Sequence, residues 1–384
     1  MKLPHNKRIF ERFYIMFEKL EKTLDQFLEV GIPGNDCIVC LDGEVIYRKQ
    51  RGFSDREKQT PMTGKEHYSI FSCSKPITCA AALQLWEKGL FDLDDELCKY
   101  MPEFTDMKVA GHGGLVPAKN RIKIKHLFTM SAGFNYDCSS PSIKKCWQET
   151  EGKCPTREVM KYLAKEPLGF EPGEKWKYSL CHDVLAAFVE VVSGMKFNDY
   201  VTKNIFEPLG MTHSTYLLPA DQFKNENMAT QYLCIEGKTD PVYFENFAIG
   251  NQYNPFRFGS EYASGGAGCV STVEDYIRFL NAMCKGDVIL KKDTVTMMTT
   301  NRLDEKTVVD FDLPGYAYGL GVRCPKDAEN VLQDAGWDGA AGAYLSFDAK
   351  RKLTLYYGQF VRGNIPAWAL RMALYKNVRE DLGI

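Results

Sequence analysis

The residue spacing that could support covalent catalysis is Ser-x-x-Lys, which occurs at 72–75, 142–145 and 193–196. A serine hydroxyl is a weak nucleophile unless a neighbouring group assists it. On a helix, a lysine three residues after the serine returns to the same face, where its amine can reach the hydroxyl. The pattern therefore predicts a serine nucleophile with a lysine partner, but three copies leave the choice of serine open.

Local context favours Ser72 over the other two serines. Ser72 opens a strongly helical stretch in which Pro76 is tolerated in the first turn, so its hydroxyl is expected in the positive field of a helix N-terminus. Ser142 follows a Ser-Ser-Pro loop, and Ser193 precedes Gly194 where a helix ends. Taken alone, Ser72–Lys75 is better explained as an ordinary helix cap followed by a surface lysine.

The elements that must position Ser72 follow from hydrophobic periodicity. Residues 37–47 predict a β-hairpin around an Asp-Gly turn, and residues 344–360 predict a second one. Amphipathic helices are predicted over residues 9–28 and 367–382. The middle of the chain is mostly helical in character, with helical stretches at 73–88, 157–164, 183–192 and 273–284.

These elements predict an α/β (α+β) fold in which both chain ends build one sheet. Strands near both termini, separated by a helical middle, imply an antiparallel sheet flanked by the terminal helices. We assign residues 1–66 and 286–384 to this sheet domain and residues 67–285 to a mainly helical domain.

Composition excludes several classes of function. The 384 residues carry 48 Lys plus Arg and 50 Asp plus Glu, a net charge of -2, which argues against a nucleic-acid partner. Charged residues interrupt every apolar run, so neither a leader nor a membrane-spanning segment is expected. Thirteen scattered cysteines suit reduced thiols in the cytoplasm. The oligomeric state does not follow from the sequence.

Motifs for metals and cofactors are also missing. Cys37-x-x-Cys40 has no second Cys or His pair for zinc, and on a strand its two side chains point to opposite faces. Gly237-Lys-Thr lacks the upstream glycine of a phosphate loop, since that position is Tyr232. No cofactor and no metal site are therefore expected.

Further short motifs occur along nearly the whole chain. They are Gly31-Ile-Pro-Gly34, Phe71-Ser-Cys-Ser-Lys-Pro76, Leu127-Phe-Thr-Met-Ser-Ala-Gly133, Pro172-Gly173 with Tyr178-Ser179, Pro208-Leu-Gly-Met211, Gly265-Gly-Ala-Gly268 with Ser271-Thr272, and Gly336 to Gly342. In this order they resemble the serine β-lactamase-like superfamily, which includes class C β-lactamases, low-molecular-mass penicillin-binding proteins and family VIII carboxylesterases. The resemblance implies a β-lactamase/transpeptidase-like fold with the active site between two domains.

The resemblance also implies catalytic roles. Ser72 corresponds to the acylated serine, Lys75 to its lysine, and Tyr178 to the tyrosine of the Tyr-Ser-x motif. The backbone N–H groups of Ser72 and Ala340 correspond to the oxyanion donors. Lys and Tyr have reference pKa values of about 10, so a tyrosinate base needs a nearby cation. We therefore assign Tyr178 as the general base and Lys75 as its partner, although the pattern does not say which one holds the proton.

Departures from the family pattern bear on the substrate. Trp337-Asp338-Gly339 replaces Lys-Thr-Gly, which exchanges a cation for an indole and adds an anion. Unless Arg257 or Arg362 supplies a cation, this change disfavours substrate carboxylates. Leu180 replaces the usual Asn and removes an amide from the expected substrate contact. His182 faces either the same cleft or the core, and Gly339 is expected to let substrate approach the backbone.

The sequence thus predicts a serine hydrolase that acts through an acyl-enzyme on small esters or amides, with esters favoured. A β-lactamase or D-Ala-directed peptidase and an acyltransferase remain enzyme alternatives. A catalytically silent ligand-binding module is the non-enzyme alternative, and the intact Ser72, Lys75 and Tyr178 argue against it.

Overall fold

The computed structural model describes residues 17–111, 113–217, 227–242, 254–326 and 334–384. The strands in this part of the chain are β1 (Gly34–Leu41), β2 (Glu44–Asp55), β3 (Thr60–Pro61), β4 (His67–Ser69), β5 (Lys108–Gly111), β6 (Gly114–Pro117), β7 (Gln231–Ile235), β8 (Lys238–Val242), β9 (Val270–Thr272), β10 (Tyr316–Tyr318), β11 (Arg323–Pro325), β12 (Ala335–Asp338), β13 (Tyr344–Asp348), β14 (Leu353–Gly358) and β15 (Val361–Arg362).

The α-helices of the same residues are α1 (Glu18–Glu29), α2 (Ser74–Glu87), α3 (Ile124–Phe128), α4 (Pro141–Glu149), α5 (Thr156–Leu163), α6 (Cys181–Ser193), α7 (Phe197–Val201), α8 (Glu207–Leu209), α9 (Val273–Lys285), α10 (Lys292–Met298) and α11 (Ile365–Leu382). The helices predicted in the middle of the chain are present, with ends that differ by at most two residues. None of the helices within these residues has the length and apolar character needed to cross a bilayer.

Both chain ends build one antiparallel sheet, as the hairpin patterns predict. Its order is β10-β11-β12-β13-β14-β1-β2-β3, so the two ends meet where β14 pairs with β1 and Ile38 lies opposite Tyr356. Asp42 and Gly43 both have positive φ at the β1–β2 turn, which is the conformation that an Asp-Gly hairpin turn requires. The predicted fold class is confirmed, and the domain division at residues 66 and 286 stays a prediction.

Helices cover both faces of the sheet. On one face Phe27 of α1 stacks on Tyr357, with ring centroids 4.5 Å apart, and α11 packs beside α1. On the other face Tyr276 of α9 stacks on Tyr356 at 4.4 Å. Neighbouring residues of β14 serve opposite faces because side chains alternate along a strand. The part of the predicted N-terminal helix that covers residues 9–16 lies outside the described residues.

Candidate active site

Ser72 lies in a tight turn between β4 and α2. The turn is a 3₁₀ helix, Phe71–Cys73, and Phe71 has a φ of 48°, which costs a non-glycine residue about 1–3 kcal/mol. Packing holds it in place: Phe71 is buried, and the Tyr276 hydroxyl donates to the Cys73 carbonyl at 2.5 Å. The strained turn positions Ser72 at the start of α2, as the sequence predicts. The strain at Phe71 could not be predicted, because no sequence pattern indicates it.

Lys75 is fully buried one turn into the helical segment. Its Nζ donates to Ser72 Oγ at 3.1 Å, to the Gly266 carbonyl at 2.7 Å and to the Tyr136 hydroxyl at 3.4 Å. A lysine ammonium has three donors, and these three acceptors use all of them. The amine is therefore fixed beside the Ser72 hydroxyl.

Tyr178 approaches Ser72 from the start of α6. The two hydroxyl oxygens are 2.6 Å apart, and Lys75 Nζ is 4.5 Å from the centroid of the Tyr178 ring. The ring is stacked between Tyr136 and Trp337, with centroid distances of 5.3 and 5.8 Å. Trp337 Nε1 also donates to the Tyr178 oxygen at 3.4 Å. The three residues predicted from short motifs thus meet at Ser72 Oγ.

The two predicted oxyanion donors line one cavity with Ser72. Ala340 is exposed in the turn between β12 and β13. Neither its N–H nor that of Ser72 donates a turn or loop hydrogen bond among the described residues. A Cβ on Gly339 would lie 2.5 Å from the Ile70 carbonyl, so only glycine lets this turn come so close to Ser72. We expected Gly339 to let the substrate approach the backbone, but in the structure it is the Ile70 backbone that approaches Gly339 closely.

A cavity of about 710 Å³ opens over Ser72. Its walls are largely aromatic near the serine and aliphatic towards the start of α11. Several lining residues could not be predicted from the sequence, because they are distant from Ser72 in the chain and belong to no motif. They are Phe311, Ile365, Trp368, Arg371 and Met372. Among the described residues, no group of three or more His, Cys, Asp or Glu side chains is arranged to hold a metal ion.

Asp338 has a cationic partner, which corrects the expectation of an uncompensated anion. Arg323 Nη1 lies 3.3 Å from Asp338 Oδ1, and Nη2 lies 2.7 Å from Asp334 Oδ2. Arg323 is buried, and its guanidinium lies 4.7 Å from the centroid of the Tyr344 ring. The cations that line the cavity are Arg323 and Arg371 rather than Arg257 or Arg362. Two carboxylates already share Arg323, so it has no spare charge for a substrate carboxylate.

Leu180 and His182 do not line the cavity, so the expectation of substrate contacts is wrong for both. Leu180 is 1% exposed and His182 is fully buried, because the chain enters α6 directly after Tyr178 and turns both side chains into the helical core. His182 Nε2 lies 3.3 Å from the Phe128 carbonyl and 3.5 Å from Cys79 Sγ. Burial lowers the pKa of His182 to about 3, so this imidazole is neutral.

The Trp337 hydrogen bond to Tyr178 can be tested with a matched pair of variants. Trp337→Phe keeps an aromatic ring but removes the N–H, and one net hydrogen bond contributes about 0.5–1.5 kcal/mol. We expect kcat/KM for a neutral ester to fall about 3- to 10-fold. Trp176→Phe is the control, because the buried Trp176 indole N–H has no hydrogen-bond partner within the part of the chain that the structure describes. Equal losses in the two variants would contradict a specific role for the Trp337 N–H.

Two known enzymes are similar to this chain over most of its length. Esterase EstB of Burkholderia gladioli is 29% identical over 348 residues, covering 84% of this chain and 85% of its own. ML-236A carboxylate methylbutanoyltransferase mlcH of Penicillium citrinum is 28% identical and covers 69% of this chain and 64% of its own.

The fold is shared with a solved structure of EstCE1, described as a hydrolase with promiscuous acyltransferase activity. That structure has a TM-score of 0.75 and 23% identity, and the match covers 93% of this chain and 98% of EstCE1. The Beta-lactamase family model matches residues 18–359. The chain therefore belongs to the beta-lactamase family.

Proposed function

We propose that this protein is a serine hydrolase that cleaves uncharged esters through an acyl-enzyme on Ser72. The observation that carries the proposal is the contact of Ser72 Oγ with both Tyr178 Oη and Lys75 Nζ, at 2.6 and 3.1 Å, on the wall of an open cavity. The esterase relative supports the same reaction class.

Acylation uses Tyr178 as the base. Tyr178 Oη takes the proton of Ser72 Oγ as the serine attacks the ester carbonyl carbon. The Lys75 ammonium and the Trp337 N–H favour negative charge on the tyrosine oxygen. The N–H groups of Ser72 and Ala340 bind the developing oxyanion. When the intermediate collapses, the proton on Tyr178 passes to the departing alcohol.

Deacylation repeats these steps with water. Tyr178 accepts a proton from a water molecule that attacks the acyl carbon, and the same two N–H groups bind the oxyanion. Collapse releases the carboxylic acid, and the proton returns to Ser72 Oγ. If an alcohol replaces the water, the product is a new ester. This acyltransferase reaction is the second candidate, and the methylbutanoyltransferase relative favours it.

The charges around the cavity favour an uncharged substrate. Asp338 shares Arg323 with Asp334, and exposed Asp310 and Asp312 line the opening. A substrate carboxylate would meet these anions, whereas of the two cavity arginines Arg323 is already shared by two carboxylates and Arg371 donates to the Gly339 carbonyl. A β-lactamase or D-Ala-directed peptidase is therefore less favoured than an esterase.

The mouth of the cavity predicts substrates with an apolar group. Ile365 and Trp368 line it and are 81% and 49% exposed, and Val309, next to Asp310, is 74% exposed. Exposed apolar residues grouped at a site mark a binding surface. Their continuity with the Ser72 cavity indicates contact with the acyl chain or the alcohol of the ester.

Trp368→Ala tests this apolar contact. Partial burial of an aromatic side chain against a substrate contributes about 1–2 kcal/mol, so kcat/KM for p-nitrophenyl octanoate should fall roughly 5- to 30-fold. Turnover of p-nitrophenyl acetate, whose acyl chain is six carbons shorter, should stay within about twofold. Leu115→Ala is the control, since Leu115 is 55% exposed on the β5–β6 hairpin. Equal losses for both esters would contradict an apolar subsite at α11.

Intact-mass measurement tests the proposed function. The protein is incubated separately with a fluorophosphonate, p-nitrophenyl acetate and benzylpenicillin. We expect one covalent fluorophosphonate adduct, a transient acetyl adduct, and far slower reaction with benzylpenicillin. Absence of any adduct with the first two reagents would overturn the proposal. Added alcohol distinguishes hydrolysis from transfer, because transfer produces an ester that chromatography can detect.

We also propose that the protein works in the cytoplasm. All thirteen cysteines are free thiols, and nine of them are buried. Free thiols persist in a reducing compartment, which supports this location.

A further inference from the structure

A second buried charge lies behind Lys75. Asp183, in the first turn of α6, is 1% exposed. Its Oδ1 accepts the Ser264 hydroxyl at 2.6 Å and the Tyr262 hydroxyl at 2.9 Å. Ser264 Oγ also accepts the Ala267 N–H at 3.0 Å, which leaves the Ser264 hydrogen for Asp183. These donors suit an ionised carboxylate, which only accepts hydrogen bonds.

Lys75 has no carboxylate in direct contact. None of the ion pairs among the described residues includes it, and its three hydrogen bonds go to neutral oxygens. A fully buried ammonium is costly unless an opposite charge lies nearby. The cation that the tyrosinate requires therefore needs an anion within the low-dielectric interior.

Gly266 brings these two charges together. Its carbonyl accepts from Lys75 Nζ at 2.7 Å. A Cβ at Gly266 would lie 2.5 Å from Asp183 Oδ2 and 3.4 Å from Lys75 Nζ. The carboxylate and the ammonium therefore both border the space that a side chain at position 266 would fill.

We propose that Asp183 is a positioning residue that keeps Lys75 in its ammonium form and directs it at Ser72 and Tyr178. Asp183 does not touch the substrate, since it lies behind Lys75 and does not line the cavity. Its effect is exerted through Lys75 and through the Gly265-Gly-Ala-Gly268 segment that both residues contact. The inference rests on the proposed function, because it assigns Lys75 the role of cation for Tyr178.

The other titratable groups that face Asp183 do not change their charge in the pH range of the test. The effect of the Asp183 charge is therefore assigned to Lys75 and Tyr178. Burial raises the pKa of Asp183 itself, whereas the Ser264 hydroxyl, the Lys75 charge and the Tyr262 hydroxyl lower it. Burial also moves the pKa of each neighbouring group out of the range from pH 5 to 9: well above 10 for Tyr136, Tyr216 and Tyr262, to about 12 for Cys138, to about 11 for Cys181, and to about 3 for His182.

Asp183→Asn tests the proposal through the pH profile of kcat/KM for p-nitrophenyl acetate. A nearby anion favours the charged form of a lysine, so removing the anion should narrow the pH range in which the enzyme is active. We expect kcat/KM to fall at least tenfold at pH 8. The alkaline limb of the kcat/KM profile should shift by at least one pH unit towards lower pH. Tyr262→Phe is the control, because it removes one hydrogen bond to Asp183 but keeps the charge, and its limb should not move. A uniform loss with an unshifted limb in Asp183→Asn would overturn the proposal.

Thermal unfolding provides a test that does not depend on activity. Lys75→Met leaves the Asp183 carboxylate buried without its cation. Adding Asp183→Asn to that variant removes the unpaired charge, so the double variant should have the higher Tm. A lower Tm of the double variant would show that Asp183 stabilises the fold by its hydrogen bonds alone and would overturn the proposal. If the proposed function were wrong, the wild-type protein itself would show neither ester turnover nor labelling of Ser72.

Discussion

Ser72→Ala is expected to abolish covalent labelling by a fluorophosphonate and to reduce ester turnover to the background rate. The Ser72 hydroxyl is placed to form the acyl bond, since Tyr178 Oη and Lys75 Nζ both contact Ser72 Oγ. Without the Ser72 hydroxyl the acyl-enzyme cannot form, so the whole reaction is lost and not merely one step slowed. The residual rate should reflect only substrate binding and the oxyanion donors.

Ser142→Ala and Ser193→Ala are the matched controls, because both serines belong to the same Ser-x-x-Lys pattern. Ser142 lies at the start of α4, and the Ser193 hydroxyl donates to the Val189 carbonyl at 2.6 Å at the end of α6. Neither residue lines the cavity over Ser72. Both variants should be labelled at full stoichiometry. Loss of labelling in either one, with Ser72→Ala still labelled, would refute the assignment.

Tyr178→Phe is expected to lower kcat for a neutral ester by about 10²–10⁴-fold, the usual contribution of a general base. The substitution removes the oxygen 2.6 Å from Ser72 Oγ and keeps the ring that stacks between Tyr136 and Trp337. Lys75→Ala should cause a loss of the same order, because it removes the cation beside that oxygen. Turnover is measured from pH 6 to 9, with circular dichroism to check the fold.

Tyr136→Phe separates the base from its aromatic surroundings. The Tyr136 hydroxyl lies 3.4 Å from Lys75 Nζ, and burial raises its pKa well above 10. Tyr136 therefore stays neutral, and its hydroxyl contributes one weak hydrogen bond to Lys75. We expect a loss of about tenfold or less. If Tyr178→Phe retained wild-type kcat/KM across this pH range, Tyr178 would not be the base.

The reacting residues could be predicted from the sequence because their signals are local. Ser72 and Lys75 share one helix face at a spacing of three residues, and Tyr178 belongs to a short motif of its own. The Asp42-Gly43 turn and the alternation along β14 likewise depend on neighbours in the chain. Helix geometry, turn conformation and strand alternation act over a few residues, so they leave a readable pattern.

The surroundings of these residues depend on contacts between distant segments. Arg323 neutralises Asp338 because β11 and β12 are neighbours in the sheet, and Asp183 lies behind Lys75 because α6 packs on α2. The spacing of His182 from Tyr178 predicts a cleft residue, but His182 is buried because α6 enters the core at this point. Charge compensation, burial and pKa are set by what a side chain meets across the fold, and composition and spacing do not specify those partners.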